Sequence, residues 1–480
     1  MTTPIIAAAS RASASRRNPV RWIVCAVVLG VNVMDGLDAS IVNIAGPSIH
    51  LDLGGGANTV QWLSAGYTLA FAVLLIAGAR LGDILGRRRL FLVGSAGFTV
   101  FSAACALAPN TGVLIACRVL QGAFGALMIP QGFGLIREVF DDEEFGKAMG
   151  MFGPAMGLPL IAAPILGGVL VDANLWGTGW RLVFLINVPI GLVSFVLALR
   201  TLPRGASHSG LKLDVGGVWL IGLALIAIIY PLIQGQPDGW PAWTFVLLAA
   251  GLVLLLVFLV WEKRRQSDAL IEPSLLTNRN YLSGIAVALA LFGAFAGVLL
   301  CVSLYGQLGE GWSPIHAGLT LTPMVVGMVA GMVGGMFAVA RLGRHVLHLG
   351  LLIMASGAAV LALTLTGAGS GSSWDLLPGL FLVGTGAGAS FGLLFPFILS
   401  SVTRREVGSA SGALEATTQL ATSLGVAVLG TIFLSSFAHH PPTYALQITA
   451  WACMAPLAIA FALVFRLPVR AREETTTDHR

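Results

Sequence analysis

Charge is what this chain has least of. Asp, Glu, Lys and Arg make up 10% of its 480 residues, against 56% apolar residues, and the mean hydropathy is +0.87. Soluble domains carry about 25% charged residues, so a soluble globular fold is excluded for any large part of the chain. Cysteine is scarce as well. Cys25, Cys105, Cys117, Cys301 and Cys453 stand singly in apolar segments, with neither metal-type pair spacing nor a disulfide framework. They read as packing residues. No G-x-x-x-x-G-K-[ST] loop occurs, which excludes ATP-driven pumping by this polypeptide. His316, His345 and His348 lie near the ends of apolar runs, where solvated or structural roles are expected rather than metal binding. The chain therefore reads as no enzyme, with no cofactor and no metal.

Long apolar runs are what it has instead. Crossing roughly 30 Å of hydrocarbon takes about 20 apolar helical residues, and fourteen such runs follow one another near 22–46, 61–80, 90–108, 112–136, 146–171, 181–200, 214–233, 241–261, 281–306, 315–340, 346–367, 376–402, 407–433 and 444–466. The fold class expected is an all-α integral membrane protein with fourteen transmembrane helices. Of the 27 basic residues, all but Arg118 and Arg181 fall at the termini or in alternate gaps between runs. Because Lys and Arg flanking spans stay on the cytoplasmic side, both termini are expected in the cytosol, which requires an even number of spans. This distribution also accounts for the net charge of +5, so no nucleic-acid partner is implied. Arg11, Arg16 and Arg17 precede a run too long for a signal peptide, and the first span reads as an uncleaved anchor. Lysine supplies three of the 27 basic residues, and Ala and Gly abound, which points to a GC-rich bacterial genome and a bacterial inner membrane.

A faint internal repeat suggests duplication. The Gly-Arg-Arg at 86–88 has an echo in Gly-Arg-His at 343–345, an offset of 257 (343 less 86), with Ala340 where the first copy has Asp83. FGKAMGMFG at 145–153 likewise resembles VGSASGALE at 407–415. The gap after the second run reads ARLGDILGRRRLF, residues 79–91, where glycines permit tight turning and Asp83 can pair with arginines or cap a helix.

That loop resembles the signature loop of the major facilitator superfamily. QWLSAGYTLA (61–70), RVLQGAFGA (118–126), WRLVFLINVPIGL (180–192) and LDASIVNIAGPSI (37–49) extend the likeness, over about residues 22–466, to the superfamily's fourteen-span drug:proton antiporter branch. The resemblance implies the major-facilitator fold with two six-helix halves plus two extra central helices. The expected divisions are a cytosolic tail 1–21, an N-terminal half 22–200, a linker region 201–280 with the two extra helices, a C-terminal half 281–466 and a cytosolic tail 467–480. It also implies a conformational-gating loop of Gly82, Asp83, Gly86, Arg87 and Arg88, and an antiporter motif of Gly153, Gly157, Pro164, Gly167 and Gly168. Ala79, Pro159 and Ala163 depart from the family, which usually has glycine at these positions.

Ionisable residues inside apolar runs carry an insertion cost of about 2.5–3.5 kcal/mol each, so each calls for a reason. Four stand out: Asp35, Asp38, Arg118 and Glu415. At 1.5 Å per residue, Asp38 and Arg118 lie roughly 12 Å and 9 Å from the outer ends of their spans, so the two can meet at one level. An acid buried next to a cation is pulled in opposite directions by burial and by charge. The expected pair either exchanges a proton with the outside, the role the resemblance gives it, or fastens two helices permanently. Asn32, Asp35, Asp38 and Asn43 share an arc of roughly 140° on span one, which reads as a cavity-lining face. Asp35 is either a second proton-coupling group or a helix-to-helix hydrogen-bonding residue. Gln121 shares a stripe with Arg118 and reads as an orienting partner at the substrate cavity.

Glu415, roughly 13 Å into span thirteen, lies at the depth of a substrate. With Gln419, Asn32 and Phe395 it is assigned to the substrate cavity, to balance a cationic ligand or carry another proton, or else to make a structural hydrogen bond. Inverted repeats in transporters put the substrate near the midplane between the halves. The expected function is proton-coupled export of amphipathic, cationic small molecules by alternating access, driven by the proton gradient alone. The expected partners are a small-molecule substrate, protons and the lipid bilayer, and the expected state is a monomer. Alternatives are a dedicated exporter of one secreted metabolite or lipid, an uptake symporter, and a membrane scaffold or sensor that transports nothing.

Overall fold

The computed structural model describes residues 20–55, 58–140, 151–203, 214–235, 238–265, 274–365, 372–402 and 406–469, with Glu144, Ala148, Leu270 and Glu272. Among the described residues there are helices and turns but no strand. In chain order the helices are α1 (Arg21–Leu53), α2 (Thr59–Leu85), α3 (Arg87–Ala106), α4 (Thr111–Val139), α5 (Phe152–Ala173), α6 (Gly179–Thr201), α7 (Val215–Gln234) and α8 (Ala242–Arg265). They continue with α9 (Arg279–Gly309), α10 (Pro314–Leu342), α11 (His345–Thr364), α12 (Ser373–Leu399), α13 (Val407–Phe437) and α14 (Pro442–Val464). Each apolar run of the sequence coincides with one of these helices.

Twelve of them are long and apolar enough to cross a membrane. The other two, α2 and α5, hold shorter apolar stretches, Thr59–Leu75 and Ala162–Ala173, among their described residues. The chain is thus a multi-pass membrane protein, and the expected count of fourteen spans is reached only if α2 and α5 also cross. The exposed apolar side chains, such as Phe245, Val253 and Leu256 on α8, face outward from the bundle as lipid-facing residues do.

Local chemistry sets the helix ends. Gly86 alone separates α2 from α3, and its φ of 94° is one that glycine adopts without strain. Asn110 caps α4 by accepting from Val113 N at 2.9 Å, and Ser372 with Asp375 forms a capping box on α12. Without a hydrophobic drive between helices inside lipid, close backbone approach carries the association. Glycines supply it. A Cβ on Gly331 of α10 would strike the Thr385 carbonyl of α12, one on Gly388 the Met328 carbonyl, and one on Gly425 of α13 the Gly293 carbonyl of α9.

The pairings occur twice. Within α1–α6 the main partners are α2 with α4, α3 with α4, α1 with α5 and α6, and α3 with α6. Within α9–α14 the same list recurs eight helices later: α10 with α12, α11 with α12, α9 with α13 and α14, and α11 with α14. The contacts between the two sets are reciprocal, α2 against α13 and α5 against α10. The hairpin α7–α8 packs beside α2 and α13 through α7.

Hydrogen bonds stitch the two sets together in the half of the bundle remote from the chain termini. Gln61 Nε2 donates to the carbonyls of Val426 (3.3 Å) and Ala427 (3.2 Å), and Thr68 bonds Ser423. Ser303 Oγ donates to Asn43 O at 2.7 Å, Gln307 Nε2 to Ile44 O at 2.9 Å, and Ile315 N to Asp172 Oδ2 at 3.2 Å.

The α10–α12 contact yields a prediction with its own control. Gly331→Leu forces overpacking at the Thr385 carbonyl and should cost about 1–3 kcal/mol, read as a lowered thermal unfolding midpoint of the detergent-solubilised chain. Gly334→Leu, three residues along, meets nothing within 4 Å and should leave that midpoint unchanged. Equal midpoints for the two variants contradict glycine-dependent packing.

Candidate functional site

The site assembles inside the α1–α6 set. Asp38 of α1 and Arg118 of α4, 80 residues apart, form an ion pair through Oδ2 and Nη1, and both side chains are 0% exposed. A carboxylate taken out of water needs all its lone pairs met. Here Asn187 of α6 completes the shell: its Nδ2 donates to Asp38 Oδ1 at 2.6 Å and lies 3.1 Å from Ser102 Oγ of α3. Ser102 in turn donates to Phe184 O at 2.9 Å. Three helices, α1, α4 and α6, therefore meet on one carboxylate, and α3 braces it through Asn187.

Arg118 is held as closely. Its Nε donates to Leu63 O of α2 at 3.2 Å and its Nη1 to Gln121 Oε1 at 2.9 Å, while Nη2 has no hydrogen-bond acceptor. The guanidinium sits over the Tyr67 ring, 4.1 Å from Cζ to the centroid. Asp35, one helical turn before Asp38 and 7% exposed, accepts a hydrogen bond from the Tyr67 hydroxyl. It is near enough to Asp38, Arg118 and Glu415 to interact with each electrostatically.

The arc expected to line a cavity thus turns into the α1–α6 set. Asp35 and Asp38 point towards α2, α4 and α6, and Asn32 bonds its own helix through Nδ2 to Val28 O at 2.8 Å. Gln121, assigned from sequence to the substrate cavity, is 0% exposed and belongs to the ion-pair network, bonded to Arg118 and approached by Cys105 Sγ at 3.6 Å. The reason is spacing: three residues on, it lies on the same helical face as Arg118. That correction leaves Glu415, Gln419 and Phe395 as the more open residues.

Those three belong to the other set and are half-buried. Glu415 and Gln419 stand one turn apart on α13, and neither side chain bonds to a described residue. Phe395 of α12 is a turn away from Phe391, which stacks on Phe292 of α9 (4.3 Å, 2°) and takes Phe295 edge-on (5.2 Å, 81°). The structure does not bring Glu415 into the Asp38–Arg118 network.

Of the loop residues, Gly82 lies against the Gln131 amide of α4, and Gln131 Nε2 donates to Gly78 O at 2.9 Å. Arg87 Nη1 lies 3.7 Å from Glu138 Oε1, and Arg88 Nη2 donates to Leu199 O at 2.7 Å. The surroundings of Asp83, Gly153 and Gly157 lie outside the described residues. The rest of the α5 motif sits where helices nearly touch. A Cβ on Gly167 would be 2.9 Å from Ile41 of α1, and one on Gly168 2.7 Å from the Ile315 backbone of α10, while Gly318 abuts the Pro164 carbonyl. Pro159, a departure from the family pattern, fits because Gly36 of α1 faces its ring.

Sequence reasoning did not single out Tyr67, Ser102 or Asn187. Tyr67 and Asn187 stand inside segments noted above, QWLSAGYTLA and WRLVFLINVPIGL, but a lone polar residue in an apolar run does not reveal its partner. A protein of Streptomyces coelicolor described as "Probable actinorhodin transporter" is 47% identical over 418 residues, covering 86% of this chain and 72% of that protein. The "Tetracenomycin C resistance and export protein" of Streptomyces glaucescens is 34% identical, covering 85% and 75%. Among solved structures, the peptide transporter POT in complex with sulfate aligns with a TM-score of 0.67 over 92% of this chain and 94% of that one, at 14% identity, which attests the fold alone. The family model described as Major Facilitator Superfamily matches residues 28–426, and the chain belongs to that superfamily.

Proposed function

We propose that this protein is a proton-coupled antiporter that exports amphipathic small molecules across a bacterial inner membrane, with all fourteen helices spanning it and both termini in the cytosol. The observation that carries the reading is the buried Asp38–Arg118 pair with a second acid, Asp35, one turn away. Three ionisable groups in so apolar a place suit a protein that loads and unloads protons. Asp38 is the coupling acid, Arg118 its counter-ion, and Asp35 a second carrier. No cofactor takes part.

Alternating access follows from the repeated pairings. The sets α1–α6 and α9–α14 rock as two bodies about the α2–α13 and α5–α10 contacts, with α7 and α8 as the linker. The stitched half is the closed, outer end, so this conformation is open to the cytosol. The Gly82–Arg88 segment gates the inner end and the α5 motif the outer one. Between the sets, Glu415, Gln419, Asn32 and Phe395 meet the substrate, and the Glu415 carboxylate favours a cationic one. A single polypeptide contains both sets, in keeping with a working monomer.

Energetics bear on the stoichiometry. One proton entering down about one pH unit supplies roughly 1.4 kcal/mol, and about 100 mV adds roughly 2.3 kcal/mol. That concentrates a neutral substrate several-hundred-fold. One-for-one exchange for a monovalent cation returns the electrical part and leaves about tenfold, so cationic cargo calls for a second proton. Asp35 is placed to carry it. A second reading, a dedicated exporter of one secreted compound, draws on the names of the two relatives, which specify actinorhodin and tetracenomycin C.

Two variants test the proposal in liposomes with an imposed pH gradient. Asp38→Asn keeps an oxygen facing Arg118 and should enter the membrane folded, yet abolish gradient-driven export; parental export would remove Asp38 as the coupling acid. Glu415→Gln should shift the preference between cationic and neutral dyes by about tenfold, roughly the worth of one charge-assisted contact. An unaltered dye ranking would assign Glu415 a structural role, and failure of the parent to move any broad-spectrum dye favours the dedicated exporter.

A further inference from the structure

One buried residue touches both acids of α1. Tyr67 of α2 is 0% exposed; its hydroxyl donates to Asp35, and its ring lies beneath the guanidinium that pairs with Asp38. Two glycines of α4 fix this position. A Cβ on Gly122 would strike the Tyr67 carbonyl, and one on Gly125 would lie 3.0 Å from Asp35 Oδ1 and 3.1 Å from the Phe71 ring. Since Arg118 Nη2 has no hydrogen-bond acceptor, the π face of Tyr67 covers cationic surface that hydrogen bonds leave unmet. The charged and titratable groups around Asp35 are Tyr67 on α2, Asp38 on its own helix, Arg118 on α4 and Glu415 on α13.

We propose that Tyr67 is a positioning residue that joins Asp35 to the Asp38–Arg118 pair, its hydroxyl holding the one and its ring the other, so that a proton gained or lost at either carboxylate is felt at both. The inference rests on the proton-coupled reading above. A hydroxyl bound to an ionised carboxylate makes a charge-assisted bond, about twice as strong as a neutral one. When a proton from the aqueous phase binds Asp35, that bond becomes neutral and weaker, and where the proton takes Oδ1 an O–H stands where an acceptor stood. The tyrosyl hydroxyl must then turn or accept, and any displacement of its oxygen carries the rigid ring with it and alters the cover over Arg118. Only the proton changes hands, and it returns to water when Asp35 ionises again.

The proton itself serves as the probe. The full-length chain in lipid nanodiscs is followed by hydrogen–deuterium exchange of residues 423–431 on α13, corrected for the intrinsic pH dependence of exchange. This segment lies in the opposite set and holds the partners of Thr68 and Gln61, so it reports separation of the two sets; loosening of α2 alone raises its exchange at every pH and leaves the titration midpoint in place. The parent should pass between protected and open populations as pH varies. Tyr67→Phe keeps the ring and removes the hydroxyl, and should move that midpoint by about one pH unit towards higher pH, since the Asp35 anion has lost a donor.

Tyr67→Leu, which also removes the ring, should flatten the transition. A Tyr67→Phe midpoint within experimental error of the parent overturns the inference. If Tyr67→Phe does not fold, Asp35→Asn decides: it should displace or abolish the transition, and a parental midpoint overturns the inference equally. A parent with no pH-dependent transition refutes the proton-coupled reading itself, whereas a titrating parent with an indifferent Tyr67→Phe refutes only the role of Tyr67.

Discussion

A carboxylate and a guanidinium removed from both water and lipid are the constraint on which the α1–α6 set depends. Removing one partner of a buried pair typically costs about 3–5 kcal/mol, because the other charge is left uncompensated. Every helix that reaches Asp38 or Arg118 is thereby tied to its position: α4 by the pair itself, α6 by Asn187, α3 by Ser102 and α2 by the Leu63 carbonyl and the Tyr67 ring. The α9–α14 set repeats the same helix pairings with no ion pair inside its spans among the described residues, and is held by glycine contacts such as Gly331 on Thr385 and Gly425 on Gly293. Both bodies use close backbone approach, as at Gly78 on Ala126 and Gly122 on Tyr67 in the first, and the first adds a buried ion pair.

That asymmetry gives the two bodies different chemistry. In the first, charge is shared among Asp35, Asp38, Arg118 and Tyr67. In the second, Glu415 stands on α13 without a bonded neighbour among the described residues. An acid whose lone pairs are already met by the protein is suited to a fixed partner, and one with unmet lone pairs to something that comes and goes. The fully bonded carboxylate, Asp38, and the unbonded one, Glu415, accordingly fall on different sets.

Much of this was legible in the residues. The apolar runs became the helices, because a span has to satisfy its backbone internally and to be apolar over about 20 residues. The meeting of Asp38 with Arg118 followed from counting depth along two antiparallel helices. Rotation about the helix axis was not legible. Asp35, Asp38 and Asn32 share an arc on any helical wheel, but whether the arc faces a cavity or the interior of the set depends on how α1 is turned against α4 and α6. Gln121 bonds Arg118 as its spacing implies, but inside the set rather than at a cavity, and Asn187 was missed because a lone asparagine 149 residues from its partner leaves no periodic trace. Spacing within one helix is a local property. Which side chains share a carboxylate is a tertiary one.

The hairpin α7–α8 is bound where the two sets are joined. Asn58 Nδ2 donates to Gln234 Oε1 at 2.8 Å, tying α7 to the start of α2, and Thr431 Oγ1 donates to Leu232 O at 2.7 Å, tying the same turn of α7 to α13. Gln61 completes a triangle by lying 3.3 Å from Thr431 Oγ1. The carbonyl of Leu232 is free to accept because it lies in the last turn of α7, where carbonyls lack an intrahelical donor. Any motion that parts α2 from α13 at this end must break one of the two links to α7 or carry α7 with one set. Both links are neutral hydrogen bonds, each with a net worth of about 0.5–1.5 kcal/mol, far below the tie that holds Asp38 to Arg118. When the ends of α2 and α13 separate, bonds of this class yield first.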